Sequence, residues 1–215
     1  MRANDAVLSL GVLASGSGTN LEAILGATRS GTIRARVAVV VCNVADAKAL
    51  DRAREAGVPA VLVSHKAYGS REQFDAAVVE VLRAHGVECV VLAGFMRIVT
   101  SVLLSAFPLR VVNVHPSLLP AFPGVAAQAQ ALAYGARVSG CTVHFVDAGM
   151  DTGPIIAQEP VPVLASDDEP TLRARILAKE HELLPRVLGW IADGRVEVTP
   201  ASDGGRARVV VSDAP

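Results

Sequence analysis

Short aliphatic runs alternate with amphipathic segments through the first half of the chain. Near-continuous aliphatic runs are typical of strands buried on both faces, and five of them are predicted to be strands: Val7–Leu13, Arg36–Cys42, Ala60–Val63, Glu88–Leu92 and Val111–His115. Three intervening segments have the pattern of helices: Thr19–Thr28, Asp46–Ala56 and Ser70–His85. Thr19 with Glu22, and Ser70 with Gln73, have capping-box spacing. This alternation predicts βαβ crossovers and a parallel sheet with helices on both faces.

The pattern changes after His115, where prolines interrupt regular structure from Pro116 to Gly124. Beyond this loop we predict a helix, two strands, a long helix and a hairpin: Gln128–Tyr134, Gly140–Val146, Ile155–Val163, Thr171–Ile191, and Glu197–Val198 paired with Arg208–Val211 across Gly204-Gly205. Pro185 is expected to end or kink the long helix. The prediction is an α/β fold with an open, mostly parallel, doubly wound Rossmann-like sheet and an antiparallel C-terminal extension.

Composition narrows the class of protein. The 215 residues include 20 Lys plus Arg and 21 Asp plus Glu, a net charge of −1, whereas a nucleic-acid surface needs a basic footprint. No apolar run approaches the roughly 20 residues of a membrane-spanning helix. The run Ala6–Ala14 could serve in a signal peptide, but the residues before it are not clearly basic, so a first buried strand is preferred. We expect a cytoplasmic protein that binds neither nucleic acid nor membranes.

Metal and covalent chemistry have no clear candidates. Cys42, Cys89 and Cys141 lie in apolar runs without CxxC spacing, and the five histidines lack an HExxH pattern, so neither a disulfide framework nor a metal site is predicted. No serine stands in a GxSxG elbow, and no cysteine follows a helix start that would activate it.

The segment Ser15-Gly-Ser-Gly-Thr-Asn20 joins the first strand to the first helix. Backbone N–H groups at a helix N-terminus attract anions, and glycine lets a ligand approach the backbone. A phosphate is therefore the expected guest. The third glycine of GxGxxG and the Gly-Lys-Ser/Thr of a P-loop are missing, which disfavours a dinucleotide or nucleoside triphosphate. The alternative is a plain tight turn in which Thr19 caps the helix.

Asn113 and His115 are two residues apart on a predicted strand, so they share one face. At the carboxyl end of the strand both could donate hydrogen bonds to a developing oxyanion. The alternative is a hydrogen-bonded polar pair that closes the strand. His144, on a later strand, is interpreted as a structural histidine or one that supports the site.

Asp147 and Asp151 lie in a Gly-rich loop. Either carboxylate could stabilise the turn, or it could keep His115 protonated and relay a proton, and spacing does not separate the two. The charged residues of the last helix are expected on their pattern alone to form a solvated face: Arg173, Arg175, Lys179, Glu180 and Glu182.

Taken together, six collinear segments resemble the phosphoribosylglycinamide formyltransferase family, over about residues 6–195. They are Ser15-Gly-Ser-Gly-Thr-Asn-Leu21, Ser70-Arg-Glu72, Leu92-Ala-Gly-Phe-Met-Arg-Ile98, Asn113-Val-His-Pro-Ser-Leu-Leu-Pro120, Asp151-Thr-Gly-Pro154 and Lys179-Glu-His181. The resemblance implies the formyltransferase fold and transfer of a formyl group from 10-formyltetrahydrofolate, as co-substrate, to the amine of glycinamide ribonucleotide in purine biosynthesis, with no metal.

The resemblance also implies residue roles. The implied catalytic residues are Asn113, His115 and Asp151. The implied nucleotide-binding residues are Gly18, Thr19, Asn20, Lys179 and Glu180. The implied folate-binding residues are Arg71, Leu92, Met96, Arg97, Ile98, Val99, Asn113, Asp147, Met150 and Asp151. Because the substrate amine is itself the nucleophile, no serine or cysteine is needed.

The implied organisation is a formyltransferase domain over residues 1–195, with a phosphate-binding half at 1–107, a folate and catalytic half at 108–195, and a tail at 196–215. The partners would be small molecules, and the chain would be a monomer or a homodimer. A formyltetrahydrofolate hydrolase or a methionyl-tRNA formyltransferase would be expected to carry an additional domain. A binding protein without catalysis is a third alternative, because Val125-Ala-Ala-Gln128 stands where the family generally places a histidine.

Overall fold

The structure, a computed structural model, describes residues 6–200 and 207–212. The strands in this part of the chain are β1 (Leu8–Ala14), β2 (Ala35–Cys42), β3 (Ala60–Leu62), β4 (Cys89–Leu92), β5 (Val111–His115), β6 (Val138–Phe145), β7 (Ile155–Pro162), β8 (Val196–Thr199) and β9 (Arg208–Val211). The helices are α1 (Thr19–Arg29), α2 (Lys48–Glu55), α3 (Arg71–Ala84), α4 (Ser101–Ala106), α5 (Ala127–Tyr134) and α6 (Glu169–Ala192), with a 3₁₀ turn at His65–Ala67.

One seven-stranded sheet runs through the molecule in the order β3-β2-β1-β4-β5-β6-β7. The first five strands of this order are parallel, β6 is antiparallel to β5, and β7 is antiparallel to β6. Strands β8 and β9 form a separate antiparallel pair. The predicted fold class is confirmed.

Helices cover both faces of the sheet, which is why its strands are aliphatic on both sides. Helices α1, α2, α5 and α6 pack on one face, and α3 and α4 pack on the other. Val112 and Val114 of β5 point to the first face and Val111 points to the second. Since side chains alternate along a strand, Asn113 and His115 lie on the second face, at the carboxyl end of β5.

Most predicted boundaries agree with the structure, including those of the long helix, predicted as Thr171–Ile191 and observed as Glu169–Ala192. Helix α6 does not end at Pro185, which is buried inside it. A proline removes one N–H donor from the helix, and α6 tolerates this because the residues around it are packed in the core: Leu183, Leu184, Val187 and Leu188. Helix α4 was not predicted, because its six residues are too few to show a helical period.

The capping box predicted at Thr19 is also absent. Gly18 is the residue that precedes α1, and no side chain caps the helix there. Glu22 instead forms an ion pair with Arg52 of α2. The cap predicted at the start of α3 is confirmed, because the Ser70 hydroxyl accepts a hydrogen bond from the Gln73 N–H.

The C-terminal hairpin pairs Glu197 with Val210 and Val198 with Val209, as predicted. Its predicted turn at Gly204-Gly205 lies outside the described residues. Valines from both hairpin strands pack against the main core. Among the described residues, no helix combines the length and the apolar character needed to cross a bilayer.

Candidate active site

Antiparallel pairing of β5 with β6 brings four polar side chains onto one face of the sheet. Asn113 lies opposite His144, and His115 lies opposite Thr142. His115 and His144 are 4% and 2% exposed. Buried imidazoles and amides need hydrogen-bond partners, and the neighbouring loops supply them.

The loop between β6 and β7 places Asp151 beside both histidines. Asp151 Oδ2 lies 3.4 Å from His115 Nδ1, and Oδ1 lies 3.7 Å from His144 Nε2. Asp151 has a left-handed backbone with φ of 54°, a conformation that aspartate tolerates better than most residues. A Cβ at Gly153 would stand 1.9 Å from the Phe145 carbonyl oxygen, so only glycine lets the loop return this closely to β6.

The proline-rich loop after β5 covers the other side of His115. His115 Nε2 donates to the Phe122 carbonyl at 2.9 Å, and the Gly124 N–H donates to Asp151 Oδ2 at 2.8 Å. Both ring nitrogens of His115 therefore face acceptor oxygens, an arrangement that suits the doubly protonated imidazolium. The loop is itself fixed by Thr142, whose hydroxyl accepts from the Leu119 N–H and donates to the Ser117 carbonyl.

The structure distinguishes the roles of Asp147 and Asp151, which the sequence left open. Asp147 Oδ1 accepts from the Gly149 N–H at 3.0 Å and from the Thr152 hydroxyl at 2.7 Å. These bonds are the turn-stabilising role that the sequence allowed for either carboxylate. Of the two, the structure brings Asp151 to His115.

The Gly-rich loop after β1 turns its carbonyls toward α2. Ala49 N–H donates to the Gly16 carbonyl, and Arg52 Nε donates to the Ser17 carbonyl. Because C=O and N–H point in opposite directions across a trans peptide, the N–H groups of Ser17 and Gly18 point away from α2. Gly18 has φ of 71°, and a Cβ there would lie 2.8 Å from the Ala49 Cα.

Two of the predicted nucleotide-binding residues meet although they are far apart in sequence. Asn20 Nδ2 donates to Glu180 Oε2 at 2.7 Å. Glu180 is buried rather than solvated, and burial raises its pKa to about 7. Lys179, which precedes Glu180 on α6, pairs instead with Glu182 at 2.8 Å.

The segment after β4 borders the same end of the sheet. The Met96 N–H donates to the Ser15 hydroxyl at 2.9 Å, and that hydroxyl donates to Asn43 Oδ1 at 2.6 Å. The Ser15 hydroxyl therefore links this segment to the Gly-rich loop. The sequence patterns did not single out Ser15 or Asn43 for this contact, because each is a small polar residue after a strand, as loops commonly have.

The predicted folate-side residues divide into exposed and buried groups. The exposed residues are Arg71, Met96, Ile98, Asp147 and Met150. The Arg97 guanidinium stacks over the Phe74 ring at 5.2 Å. Leu92 and Val99 are buried in the core, so their side chains do not face a ligand. Gly124 approaches Met150, whose Sδ would lie 3.1 Å from a Cβ at that position.

Burial changes the acidity of several side chains near the sheet. Burial lowers the pKa of His144, against the opposing effects of its hydrogen bond to the Phe145 carbonyl and of the Asp151 charge. The three cysteines are buried, and burial raises the pKa of Cys42 to about 11 and of Cys141 to about 12. Within residues 6–200 and 207–212, no group of three or more His, Cys, Asp or Glu side chains could hold a metal ion.

Comparison with known proteins places this geometry in a family. The model of the family described as formyl transferase matches residues 9–188. Phosphoribosylglycinamide formyltransferase of Escherichia coli strain K12 is 41% identical over 191 residues, which are 89% of this chain and 90% of that protein. The trifunctional purine biosynthetic protein adenosine-3 of Drosophila melanogaster is 46% identical over 88% of this chain. The chain spans only 14% of the length of that trifunctional relative.

A solved structure supports the same family assignment. Glycinamide ribonucleotide transformylase 1 from Symbiobacterium toebii superposes with a TM-score of 0.92 at 54% identity, covering 96% of this chain and 95% of that one. The chain therefore belongs to the formyl transferase family and, within it, groups with the phosphoribosylglycinamide formyltransferases.

Proposed function

We propose that this chain transfers a formyl group from 10-formyltetrahydrofolate to the amine of glycinamide ribonucleotide, a step of purine biosynthesis. The observation that carries the proposal is the contact of 3.4 Å between Asp151 and His115, beside Asn113 at the end of β5. Membership of the formyl transferase family supports the reaction class, and the names of the matched relatives support the nucleotide substrate.

The nucleotide would be held by the half of the chain before residue 108, together with α6. The N–H groups of Ser17 and Gly18 would bind the phosphate, helped by the free N–H groups at the start of α1. Asn20 and Glu180 would contact the rest of the nucleotide beside it. Lys179 would join them only by exchanging Glu182 for the substrate.

The folate would lie between the Met96–Val99 segment and the loop from Asp147 to Asp151, in contact with the half at residues 108–195. Exposed apolar side chains such as Met96 and Ile98 suit an aromatic pterin, and backbone groups can pair with its polar edge. Arg71 would reach this ligand from the start of α3. None of the residues implied for the site lies within 196–215.

In the proposed reaction the substrate amine attacks the formyl carbon, which forms a C–N bond and places negative charge on the formyl oxygen. The Asn113 amide and protonated His115 would donate to that oxygen, and each well-placed donor contributes about 3–4 kcal/mol. His115 must then exchange the Phe122 carbonyl for the substrate oxygen. The bond between the carbon and the folate nitrogen breaks, and Asp151 assists the transfer of the amine proton to that nitrogen.

A direct assay tests the proposal. Purified chain is mixed with 10-formyltetrahydrofolate and with glycinamide ribonucleotide, methionyl-tRNA or water as the only acceptor. We expect release of tetrahydrofolate with glycinamide ribonucleotide alone. Faster release with either other acceptor would favour the alternative enzymes, and binding of both ligands without transfer would identify a binding protein.

The catalytic roles make a first prediction. His115→Ala removes a donor to the oxyanion. Asp151→Asn removes the negative charge that lies beside His115. Each variant is therefore expected to lose about 100-fold or more in kcat. The measurement is steady-state turnover, with circular dichroism to verify the fold. A near-normal rate in either folded variant would refute its assigned role.

The phosphate loop makes a second prediction. Asn20→Ala removes the partner of Glu180 beside the proposed phosphate site, so the KM for the nucleotide is expected to rise several-fold more than the KM for the folate. Both constants come from initial rates with one substrate saturating. Equal changes in the two constants would contradict the assignment of this loop to the nucleotide.

A further inference from the structure

His144 has no role in the reaction proposed above, yet it lies against two of its three catalytic residues. Its Nε2 lies 3.2 Å from Asn113 Nδ2 and 3.7 Å from Asp151 Oδ1, and its Nδ1 lies 2.8 Å from the Phe145 carbonyl oxygen. The ring is 2% exposed. Every polar atom of this buried side chain therefore faces a defined partner.

The Phe145 carbonyl fixes the tautomer of His144. A carbonyl oxygen only accepts hydrogen bonds, so Nδ1 must carry a proton and donate it. In a neutral ring, Nε2 then carries a lone pair and accepts. Burial lowers the pKa of His144 and thereby favours this neutral ring.

The lone pair on Nε2 in turn fixes the Asn113 amide. The amide nitrogen and oxygen of an asparagine occupy nearly equivalent places, and the hydrogen-bond network decides between them. Only the nitrogen can donate to the His144 lone pair, because the oxygen in that place would be repelled. One N–H of Asn113 is then used by His144, and the second N–H remains for another acceptor.

The charged and titratable groups around His144 fit this arrangement. Asp151, His115 and Asp147 are the groups whose charges act on the ring. Asp151 Oδ2 lies near His115 and accepts from Gly124, and only Oδ1 faces His144. Because a neutral His144 carries no positive charge, the negative charge of Asp151 can pair with His115.

We propose that His144 is a positioning residue: as the neutral ring with a proton on Nδ1, it holds the Asn113 amide so that one N–H is presented to the formyl oxygen. The inference rests on the proposed formyl transfer for its catalytic consequence. The tautomer and the amide orientation can be tested without any turnover.

The first experiment measures the tautomer directly. ¹⁵N NMR of the histidine side chains separates ring nitrogens that carry a proton from those that carry a lone pair, and loss of a signal in His144→Gln assigns the ring. We expect Nδ1 protonated and Nε2 unprotonated at neutral pH, with the Nε2 signal shifted by Asn113→Ala. A proton on Nε2, or no shift in Asn113→Ala, would overturn the proposal whether or not the chain transfers formyl groups.

The second experiment compares two polar substitutions of similar size. His144→Asn places its amide near the old Nδ1 and can still donate to Phe145, but it does not reach Asn113. His144→Gln places an acceptor near the old Nε2, within reach of Asn113. We expect kcat to fall about 100-fold in His144→Asn, the loss typical of one oxyanion donor, and less than about 10-fold in His144→Gln, with both KM values little changed.

The kinetic comparison separates positioning from mere structural support. Equal losses in the two variants, or a loss confined to KM, would show that His144 only supports the fold and would overturn the proposal. An inactive wild-type protein would instead reject the proposed formyl transfer, and the NMR result would still decide the tautomer.

Discussion

Glu180 shows how a single residue can be misjudged from its surroundings in the sequence. Nearby charged residues of α6 such as Arg173 and Glu182 are exposed, but the Glu180 side chain is buried against α1, where Asn20 donates to it. Burial deprives the ionised carboxylate of the hydration it would have in water, which raises the pKa of Glu180 to about 7. In the folded chain Glu180 therefore stays protonated at pH values well above those at which a glutamate usually ionises.

This burial predicts how stability changes with pH. The folded state keeps the Glu180 proton up to about pH 7, whereas the unfolded chain releases it near 4.5. Retention of this proton stabilises the folded state fully below pH 4.5. The stabilisation is lost as the pH rises towards and through about 7, by up to about 1.4 kcal/mol per pH unit. Glu180→Gln, which copies the neutral carboxyl, is expected to match the wild type near pH 4.5 and to exceed it at pH 8.

Urea unfolding at both pH values measures this difference. Glu182→Gln is the matched control, because Glu182 lies on the same helix but is exposed and paired with Lys179. The control is expected to lack the stability gain at pH 8. A wild-type protein as stable as Glu180→Gln at pH 8 would contradict the buried neutral carboxyl.

Predictions for single residues succeeded where the alternation of side chains along a strand decides the answer. They failed where the answer depends on contacts between residues far apart in the sequence. Asn113 and His115 share a face because a strand alternates, and the sequence alone shows that. Asp151 could not be separated from Asp147, because the distinction depends on how a loop returns to β6 through Gly153. His144 was assigned only a general supporting role, because its contact with Asn113 depends on the register of two strands.

At the scale of elements, the turn between β1 and α1 depends on one glycine. Gly18 combines φ of 71° with close packing against α2, because a Cβ on this residue would come within 2.8 Å of the Ala49 Cα. A side chain at this residue would strain the backbone and push α2 away. The predicted Thr19 cap does not form because Gly18 already sets the start of the helix.

Gly18→Ala is expected to lower the free energy of unfolding by about 1–3 kcal/mol and to weaken phosphate binding. Gly26→Ala is the control, because Gly26 lies within α1 with open space around it, and alanine there is expected to stabilise by about 0.5–1 kcal/mol. Denaturant unfolding of both variants measures the effects. A stable Gly18→Ala would contradict the steric requirement.

At the scale of the whole molecule, the sequence predicted the layers well and their exceptions poorly. The alternation of aliphatic runs and helices was sufficient for a doubly wound sheet. The six residues of α4 show no helical period and were not predicted. The sequence left open whether Pro185 would end or kink the long helix, and in the structure α6 continues through it. The guanidinium groups of Arg186 and Arg195 lie 5.6 Å and 5.8 Å from the centre of the Trp190 ring, and the contact with Arg195 links α6 to the segment that leads into the hairpin.

The hairpin provides a prediction at this scale. A chain ending at Arg195 loses the packing of Val196, Val198, Val209 and Val211 on the core, and we expect its Tm to fall by about 5 °C. Its kcat is expected to be unchanged, because none of the proposed site residues lies in the hairpin. Loss of turnover in a truncated chain that still folds would contradict the prediction that the hairpin is not needed for activity.

The bond between Asn20 and Glu180 joins residues 160 positions apart. A ribosome that has made most of the protein has therefore completed the Gly-rich loop but not the glutamate that faces it. Contacts of such sequence separation form late and slow the search for the native state. We expect unfinished chains on the ribosome to have little affinity for the nucleotide until α6 has emerged and docked.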